Sequence, residues 1–384
     1  MMRPFSRLLI ALGLIALGLS ACSSDGEEIN LPAELTGIEN PLAPKVRWQA
    51  SVGDGSEGYR LSLTPVVQDE AVIVVDRNGV LSFNDLASGE QSQEIETGLG
   101  ISTGLVAHAD LLIAGTTEGE VVALNSKSGE PVWRTRVSSE VLALSRVADG
   151  LIIAQCGDGQ LHALAVEGGE RRWGYQVSVP TLTLRGTSTP LIAEDTVYAG
   201  FSNGKVSALN LSDGKIRWVK ALATPRGRSE LERMVDIDAS PIIDAGELFT
   251  VTYQGNLTAL LGRSGDVLWQ RELSSYVGMA LAGQVLYVVD DGDNIWAVDR
   301  NSGASLWKQE ALHGRTLTRP VVDGNYLLVG DFEGYLHWLD REQGRIAGRV
   351  RVDEEGLQSP VLVNGKRLFV YGQSGQLALI ESIQ

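Results

Sequence analysis

Residues 119–133 read Gly-Glu-Val-Val-Ala-Leu-Asn-Ser-Lys-Ser-Gly-Glu-Pro-Val-Trp, and this stretch contains the pattern that decides the fold. A second glycine follows the first after ten residues, and a tryptophan follows it after fourteen. Between the glycines, the residues from Val121 to Leu124 are all apolar. Because successive side chains of a strand point to opposite faces, this run predicts a strand that is covered on both faces.

The same pattern occurs eight times along the chain if degenerate copies are accepted. The first glycine of each copy, or the residue in its place, is Gly79, Gly119, Gly159, Gly204, Gly255, Asp293, Gly334 and Gly375. The second glycine is Gly89, Gly129, Gly169, Gly214, Gly265, Gly303 and Gly344. Position fourteen holds Gln93, Trp133, Trp173, Trp218, Trp269, Trp307 and Gly348. The copies are spaced by 40, 40, 45, 51, 38, 41 and 41 residues, which is typical of a four-stranded propeller blade.

Each copy contains four predicted strands separated by turn-like residues. Around Gly119 they are Thr103–His108, Leu111–Thr116, Gly119–Asn125 and Glu130–Arg136. The pattern therefore predicts an all-β protein, an eight-bladed propeller of four-stranded antiparallel blades. The last copy stops at Gln384 before a fourth strand, whereas Lys45–Val52 resembles an isolated fourth strand. We expect this N-terminal strand, which contains Trp48, to complete the eighth blade and close the ring.

The repeated tryptophans, with Trp48 as the sixth, are expected to pack between neighbouring blades. A ligand site needs one or two aromatic side chains, whereas these recur from blade to blade. Trp296 and Trp338 fall in third strands, outside position fourteen, and are expected in the core. Cys156 lies in an apolar predicted strand and is expected to be a buried, inert thiol.

The N-terminal residues have the features of an export signal. Arg3 and Arg7 accompany the apolar stretch Leu8–Leu19, and Leu-Ser-Ala-Cys ends at Cys22. This sequence resembles the bacterial lipobox. The resemblance implies cleavage after residue 21, lipid attachment at Cys22 and, because Ser23 follows, sorting to the outer membrane. An ordinary secretory signal is the alternative.

Residues 22–44 are rich in proline, glycine and acidic side chains and show no sustained periodicity. They are predicted to be a flexible tether with a reach of roughly 25 Å. The alternative is that Leu31, Leu35 and Ile38 pack on the propeller. The expected division is a signal peptide at 1–21, a lipidated cysteine with its tether at 22–44, and the propeller at 45–384.

The charge of the chain limits its partners. The formal charge is −16, and loss of Arg3 and Arg7 with the signal leaves 30 basic and 48 acidic residues, a charge of −18. Such a balance argues against nucleic-acid binding and against electrostatic adhesion to anionic lipid. Membrane attachment is therefore expected to come from the lipid anchor.

The titratable residues do not form a recognisable catalytic or metal-binding pattern. His162 and His337 occupy equivalent positions, but in the third and seventh blades, on opposite sides of the predicted ring. Asp290–Asn294 is rich in oxygen ligands but lacks the twelve-residue calcium loop with its terminal glutamate. The chain contains no Gly-x-Ser-x-Gly, His-Glu-x-x-His or P-loop motif. We expect no catalytic residue and no metal site.

The spacing Ala-x-Asn/Asp-x-x-x-Gly-x-x-x-Trp, present at Ala123–Trp133, Ala208–Trp218 and Ala297–Trp307, resembles the repeat of the pyrroloquinoline-quinone (PQQ) propellers. The resemblance makes a PQQ-binding quinoprotein or a ligand sensor the alternative function. Quinoprotein dehydrogenases look like longer chains with a vicinal disulfide and a calcium site, whereas this chain has no Cys-Cys pair. We therefore expect neither enzymatic activity nor a cofactor, and the repeat indicates only the fold.

Two connections between blades are longer than most. From position fourteen to the next first glycine the usual distance is 24 to 27 residues, but it is 31 after Trp173 and 37 after Trp218, and it is also 31 after Trp48. The connections after Trp173 and Trp218 flank the fourth blade and are expected to lie side by side on one face. They contain Leu182, Leu184 and Arg185 in one case, and Asp236 and Asp238 in the other.

This mixture of apolar and charged side chains predicts a protein-binding patch. The alternative is purely structural. In that case Leu182 and Leu184 form the inward face of a first strand, and Asp236 and Asp238 bond neighbouring turns.

The lipobox, the tether, the PQQ-like ring and the segments Leu-Thr-Leu-Arg-Gly-Thr-Ser (182–188) and Val-Asp-Ile-Asp-Ala-Ser-Pro (235–241) together resemble a family of lipoproteins of the outer-membrane β-barrel assembly machinery. The resemblance implies a non-catalytic scaffold, facing the periplasm, that assists folding and insertion of barrel proteins. It also implies that Leu182, Leu184, Arg185, Asp236 and Asp238 belong to a surface that docks on the POTRA domains of the central barrel component. Direct contact with nascent barrel proteins stays open, and a surface adhesin or lectin is a further alternative.

Overall fold

A computed structural model describes residues 31–39, 41–186 and 188–383. Within these ranges every regular element is a β-strand, and the strands form eight four-stranded antiparallel sheets. The prediction of an all-β, eight-bladed propeller is confirmed. The described chain contains no helix that is long and apolar enough to cross a membrane. The predicted signal peptide and Cys22 lie outside the described residues.

The strands follow the chain order blade by blade, and the first strand is the exception. Strand β1 is Val46–Ser51, and blades 1 to 3 contain β2 Val66–Gln68, β3 Ala71–Val75, β4 Val80–Asp85, β5 Gln91–Glu96, β6 Val106–His108, β7 Leu111–Gly115, β8 Glu120–Asn125, β9 Pro131–Arg136, β10 Val141–Leu144, β11 Leu151–Cys156, β12 Gln160–Ala165 and β13 Arg171–Gln176. Blades 4 and 5 contain β14 Leu191–Ala193, β15 Thr196–Gly200, β16 Lys205–Asn210, β17 Ile216–Ala221, β18 Ile242–Asp244, β19 Glu247–Val251, β20 Asn256–Leu261 and β21 Val267–Glu272. Blades 6 to 8 contain β22 Gly278–Ala282, β23 Val285–Val289, β24 Ile295–Asp299, β25 Ser305–Gln309, β26 Val321–Asp323, β27 Tyr326–Gly330, β28 Tyr335–Asp340, β29 Ile346–Arg351, β30 Leu362–Asn364, β31 Arg367–Tyr371 and β32 Gln376–Glu381.

The ring closes through strand β1. The last sheet has the order β1-β32-β31-β30, and Trp48 is paired with Leu379 in an antiparallel register. The N-terminal strand thus supplies the fourth strand of blade 8, as the sequence predicts. Closure pairs two strand edges that would otherwise be available to other chains.

The hydrophobic core is divided among the gaps between neighbouring blades. One cluster joins Ile113 of blade 2 to Ile152 of blade 3, and another joins Phe369 of blade 8 to Val74 of blade 1. Residues 121–124 of β8 are at most 1% exposed, so the strand is covered on both faces as predicted. Each blade is therefore stabilised by burial against its two neighbours.

The repeated tryptophans link six of the eight blades to the next one. The Trp133 indole nitrogen donates to the Val166 carbonyl at 2.7 Å, and its ring covers Gly169 so closely that a Cβ there would lie 2.5 Å from Cε3. The same stacking joins Trp48 to Gly89, Trp173 to Gly214, Trp218 to Gly265, Trp269 to Gly303, and Trp307 to Gly344. The prediction of inter-blade packing is confirmed. Trp338 is fully buried as expected, while Trp296 is half-buried.

Where position fourteen lacks tryptophan, another side chain takes over. Ile95 packs against Gly129 in the contact between blades 1 and 2. In blade 7, Gly348 is covered by Leu42 of the N-terminal segment, whose amide donates to the Ala347 carbonyl at 2.7 Å. Blade 8 has no turn between its third and fourth strands, because β32 and β1 are distant in sequence. A tryptophan at 348 would consequently have no turn glycine to cover.

The segment before β1 is packed on the propeller from Ala33 onward. The Ala33 amide donates to the His313 carbonyl at 2.9 Å, and Leu35 joins the cluster between blades 6 and 7. Leu35 and Leu42 thus contact the propeller, whereas Leu31, another apolar side chain of the predicted tether, is 72% exposed.

Replacement of Gly169 by alanine tests the stacking between blades. Gly169 has a φ of 75°, so the added methyl group brings left-handed backbone strain and also collides with the Trp133 ring. Gly150 is the matched control, since its φ is 71° and no atom lies within 4 Å of an added Cβ. We expect Gly150→Ala to cost about 1 kcal/mol, and Gly169→Ala to cost about 1–3 kcal/mol more. Thermal unfolding midpoints measure both, and equal losses would contradict the stacking.

Candidate functional site

The two long connections that flank blade 4 lie against each other. The first insertion, residues 177–190, joins β13 to β14, and the second insertion, residues 222–241, joins β17 to β18. The Thr189 amide donates to Ser240 Oγ at 3.0 Å, and Ser188 Oγ donates to the Ala239 carbonyl at 3.3 Å. Their predicted juxtaposition is confirmed. Both belong to the face on which fourth strands end and first strands begin.

Asp236 and Asp238 lie beneath the first insertion, and Asp236 bonds its backbone. The Leu184 amide donates to Asp236 Oδ2 at 2.5 Å, and Asp236 is fully buried. A Cβ on Gly186 would lie 1.8 Å from Asp238 Oδ1, so a larger residue there would displace this carboxyl group. The structural alternative for the aspartates is thus observed for Asp236, which bonds a neighbouring segment.

The opposite side of the first insertion faces solvent. Leu182 is 38% exposed, and Leu184 is half-buried. Neither belongs to a strand, because β14 begins only at Leu191. The alternative that these leucines form the inward face of a first strand is therefore wrong.

The side chain of Arg185 is held by a carboxylate in the connection between blades 2 and 3. Its Nε donates to Glu140 Oε2 at 3.2 Å, and a second bond joins Nη2 to Glu140 Oε1. Its φ of 56° is unusual for a residue with a side chain, and the guanidinium remains 39% exposed. Leu182, Leu184 and Arg185 therefore form a short surface strip, in which Glu140 bonds the guanidinium of Arg185.

Two residues missed by the sequence analysis border this strip. The Arg60 guanidinium lies 4.5 Å from the centre of the Tyr276 ring, and the Arg60 carbonyl accepts a bond from Arg185 Nη1 at 3.4 Å. Tyr59 is 52% exposed. The only signal was the excess length after Trp48, which indicates an insertion but not its position. Glu140 was also missed, since its connection has ordinary length.

Burial raises the pKa of both aspartates. Desolvation raises the pKa of Asp236 to about 6, opposed by the bond from the Leu184 amide. Desolvation also raises the pKa of Asp238 to about 7, and the charge of Asp236 adds to this effect while Arg60 opposes it. Both Oδ1 atoms lack a hydrogen-bond partner within the described protein. The site thus contains two carboxyl groups that favour the protonated form.

The other candidate residues have structural partners. In blade 3, His162 Nε2 lies 3.0 Å from Ser138 Oγ. In blade 7, His337 Nε2 lies 2.8 Å from Asp331 Oδ2. Asp290 accepts bonds from the amides of Gly292 and Asn294 within its own turn. Cys156 is a buried free thiol, as expected.

Within the ranges that the structure covers, no three His, Cys, Asp or Glu side chains are grouped as a metal ion would need.

Comparisons with known proteins identify the family. A family model described as outer membrane protein assembly factor BamB matches residues 92–309 and 301–382. An outer membrane protein assembly factor BamB from Shewanella oneidensis is 38% identical over 392 aligned residues, which cover 99% of this chain and 99% of that protein. The chain belongs to the BamB family. A family of assembly factors is not a family of enzymes, so the expectation of a non-enzymatic protein is confirmed.

Solved structures support the fold of this BamB-family chain. The crystal structure of BamB from Moraxella catarrhalis has a TM-score of 0.80 and 23% identity, and the alignment covers 88% of this chain and 100% of that chain. A quinohemoprotein alcohol dehydrogenase from Comamonas testosteroni has a TM-score of 0.70 and 13% identity, with 88% and 76% covered. At these identities the likeness shows the propeller fold alone, and shared fold does not imply shared chemistry.

Replacement of Asp238 by asparagine tests the buried carboxyl group. An unfolded aspartate with a pKa of 3.8 releases its proton near pH 4, whereas folded Asp238 keeps it until about pH 7. Folding stability from this group is therefore full below pH 4 and is lost as the pH rises to about 7. Asparagine removes that loss. As the pH is raised from 5 to 8, we expect the free energy of unfolding of Asp238→Asn to increase relative to that of the native chain by on the order of 2 kcal/mol.

Denaturant unfolding at the two pH values measures this difference. The control is Asp213→Asn, because Lys215 lowers the pKa of exposed Asp213 to about 2 and its charge favours folding at both pH values. This control is expected to bring no gain at pH 8. An identical pH dependence in Asp238→Asn and the native chain would show that Asp238 is ionised throughout.

Proposed function

We propose that this chain is a non-catalytic subunit of the outer-membrane β-barrel assembly machinery. It binds the POTRA domains of the central barrel component and assists folding and insertion of outer-membrane proteins. Membership in the BamB family supports the general role. The observation that carries the docking site is the partly exposed strip of Leu182, Leu184 and Arg185, which is bonded from below by Asp236 and lies against Asp238.

The strip has the composition of an interface centre. The buried centre of a protein interface is more apolar than the rest of the surface, arginine is enriched there, and a few residues supply most of the affinity. Asp236 of the second insertion bonds its backbone at Leu184 and Glu140 bonds the side chain of Arg185, so little conformational entropy is lost on binding. In this proposal Asp236 and Asp238 position the strip and do not touch the partner.

The proposal includes a lipid anchor at Cys22 and a propeller that faces the periplasm. The mature chain carries a charge of −18, with 30 basic and 48 acidic residues, so attraction to anionic lipid does not hold it at a membrane. A lipid chain supplies this attachment through burial of its methylene groups.

Substitutions in the strip test the docking site. We expect Leu184→Asp and Arg185→Glu to abolish co-purification with the barrel component. Each variant places a carboxylate at the centre of the interface, where it would lose its solvation, and the glutamate at 185 would also be repelled by Glu140. A loss of about 2 kcal/mol or more, a roughly 30-fold weaker affinity, is typical of such positions. Affinity purification in mild detergent measures the partner that is retained.

Two matched variants distinguish docking from general damage. Leu306→Asp changes a leucine that is 56% exposed on strand β25, and Lys127→Glu reverses an exposed charge in the turn after β8. Both are expected to retain the partner, and all four variants are expected to keep the native unfolding midpoint within a few degrees. Normal co-purification of Leu184→Asp and Arg185→Glu would count against the site.

A further inference from the structure

The third long connection crosses the face that carries the two insertions. Residues 52–63, here the central loop, leave β1 and are tied to blade 8 through a bond from the Ser56 amide to the Gln373 carbonyl, 3.1 Å. The Leu61 amide also donates to Gln358 Oε1 at 3.3 Å, and the Arg77 amide of blade 1 donates to the Gly55 carbonyl at 2.9 Å. The loop is thereby fixed on the ring.

The central loop reaches across to the first insertion. Arg60 contacts Tyr276, which precedes blade 6, and its carbonyl is bonded to Arg185. Between the loop and the insertion lies an open cleft of about 460 Å³, lined on one side by Tyr59 and Arg60 and on the other by Leu184 and Arg185. Loop and strip are thus two walls of one cleft.

Three arginines line this cleft, and two of them form an ion pair with a glutamate. Arg77 pairs with Glu57 at 3.0 Å, and Arg185 pairs with Glu140. Arg60 is the remaining cation of the lining. Its charge acts on buried Asp238, but among the described residues its guanidinium forms no hydrogen bond with a carboxylate. Its contact with the Tyr276 ring leaves the guanidinium edge free to donate.

Apolar surface stands next to this cation. Tyr59 is 52% exposed, and the Arg77 guanidinium stacks over its ring at 3.6 Å, which holds the ring in place. Leu184 lines the same cleft. Tyrosine and arginine are enriched among the residues that supply most of the affinity at protein interfaces, and the leucine adds apolar surface beside them.

We propose that the central loop is a third part of the docking surface, and that the cleft takes a partner segment in which a carboxylate stands beside an apolar side chain. The carboxylate binds the free edge of Arg60 through paired N–H donors, and its apolar neighbour packs between Tyr59 and Leu184. The inference rests on the proposed function, because the segment belongs to the same docking partner.

The test measures affinity of the full chain for detergent-solubilised, full-length barrel component at two salt concentrations. Arg60→Glu and Tyr59→Ala are each expected to weaken binding at least 10-fold, while Arg60→Lys, which keeps the charge, loses less than Arg60→Glu. Arg60→Ala is expected to flatten the salt dependence, because it removes one ion pair with the partner. Unfolding midpoints confirm that each variant is folded.

Arg185→Glu is measured as the reference for the docking strip, and Lys127→Glu is measured as the control for a change of charge. Near-native affinity of Arg60→Glu and Tyr59→Ala, together with loss of binding by Arg185→Glu, would overturn the role of the central loop and leave the docking strip intact. Near-native affinity of all of these variants would overturn both. An equal loss in Arg60→Glu and Lys127→Glu would indicate a long-range charge effect, and this too would overturn the specific contact.

Discussion

The contact between a tryptophan on the outer strand of one blade and a glycine in a turn of the next is the interaction on which the rest of the structure depends. It buries a large aromatic ring and satisfies its single donor with a backbone carbonyl, as Trp133 does at Val166. The glycine is required because a Cβ would occupy the space of the ring. Repetition of this contact sets the distance between blades and keeps their connections in line on one face.

The candidate site depends on this alignment. Connections on either side of blade 4 become neighbours in space, so a carboxylate of the second insertion can accept the Leu184 amide of the first. Burial of Asp236 and Asp238 costs stability at neutral pH, since both carboxyl groups lose solvation. That cost accompanies a surface strip whose backbone is bonded by Asp236, and strongly shifted pKa values are common at functional sites.

The way the ring closes explains two deviations from the repeat, the missing tryptophan of blade 7 and the long connection after β1. Blade 8 is assembled from β32 and β1, so it has no turn to receive a tryptophan from blade 7. Gly348 stands at that position, and Leu42 covers it from the N-terminal segment. The same closure places the central loop, which follows β1, over the middle of the face where it meets Arg185.

The sequence by itself determined the number of blades, their four strands, the closure through Trp48 and the place of the insertions, because glycine turns and apolar alternation act over a few residues and recur. The first strand was overextended at Thr103, since only Val106–His108 is paired. Only the tertiary structure decided that Asp236 and Asp238 are buried and that Arg60 reaches Arg185, a contact across 125 positions. Burial and such distant contacts depend on how complete blades pack, and no local pattern encodes them.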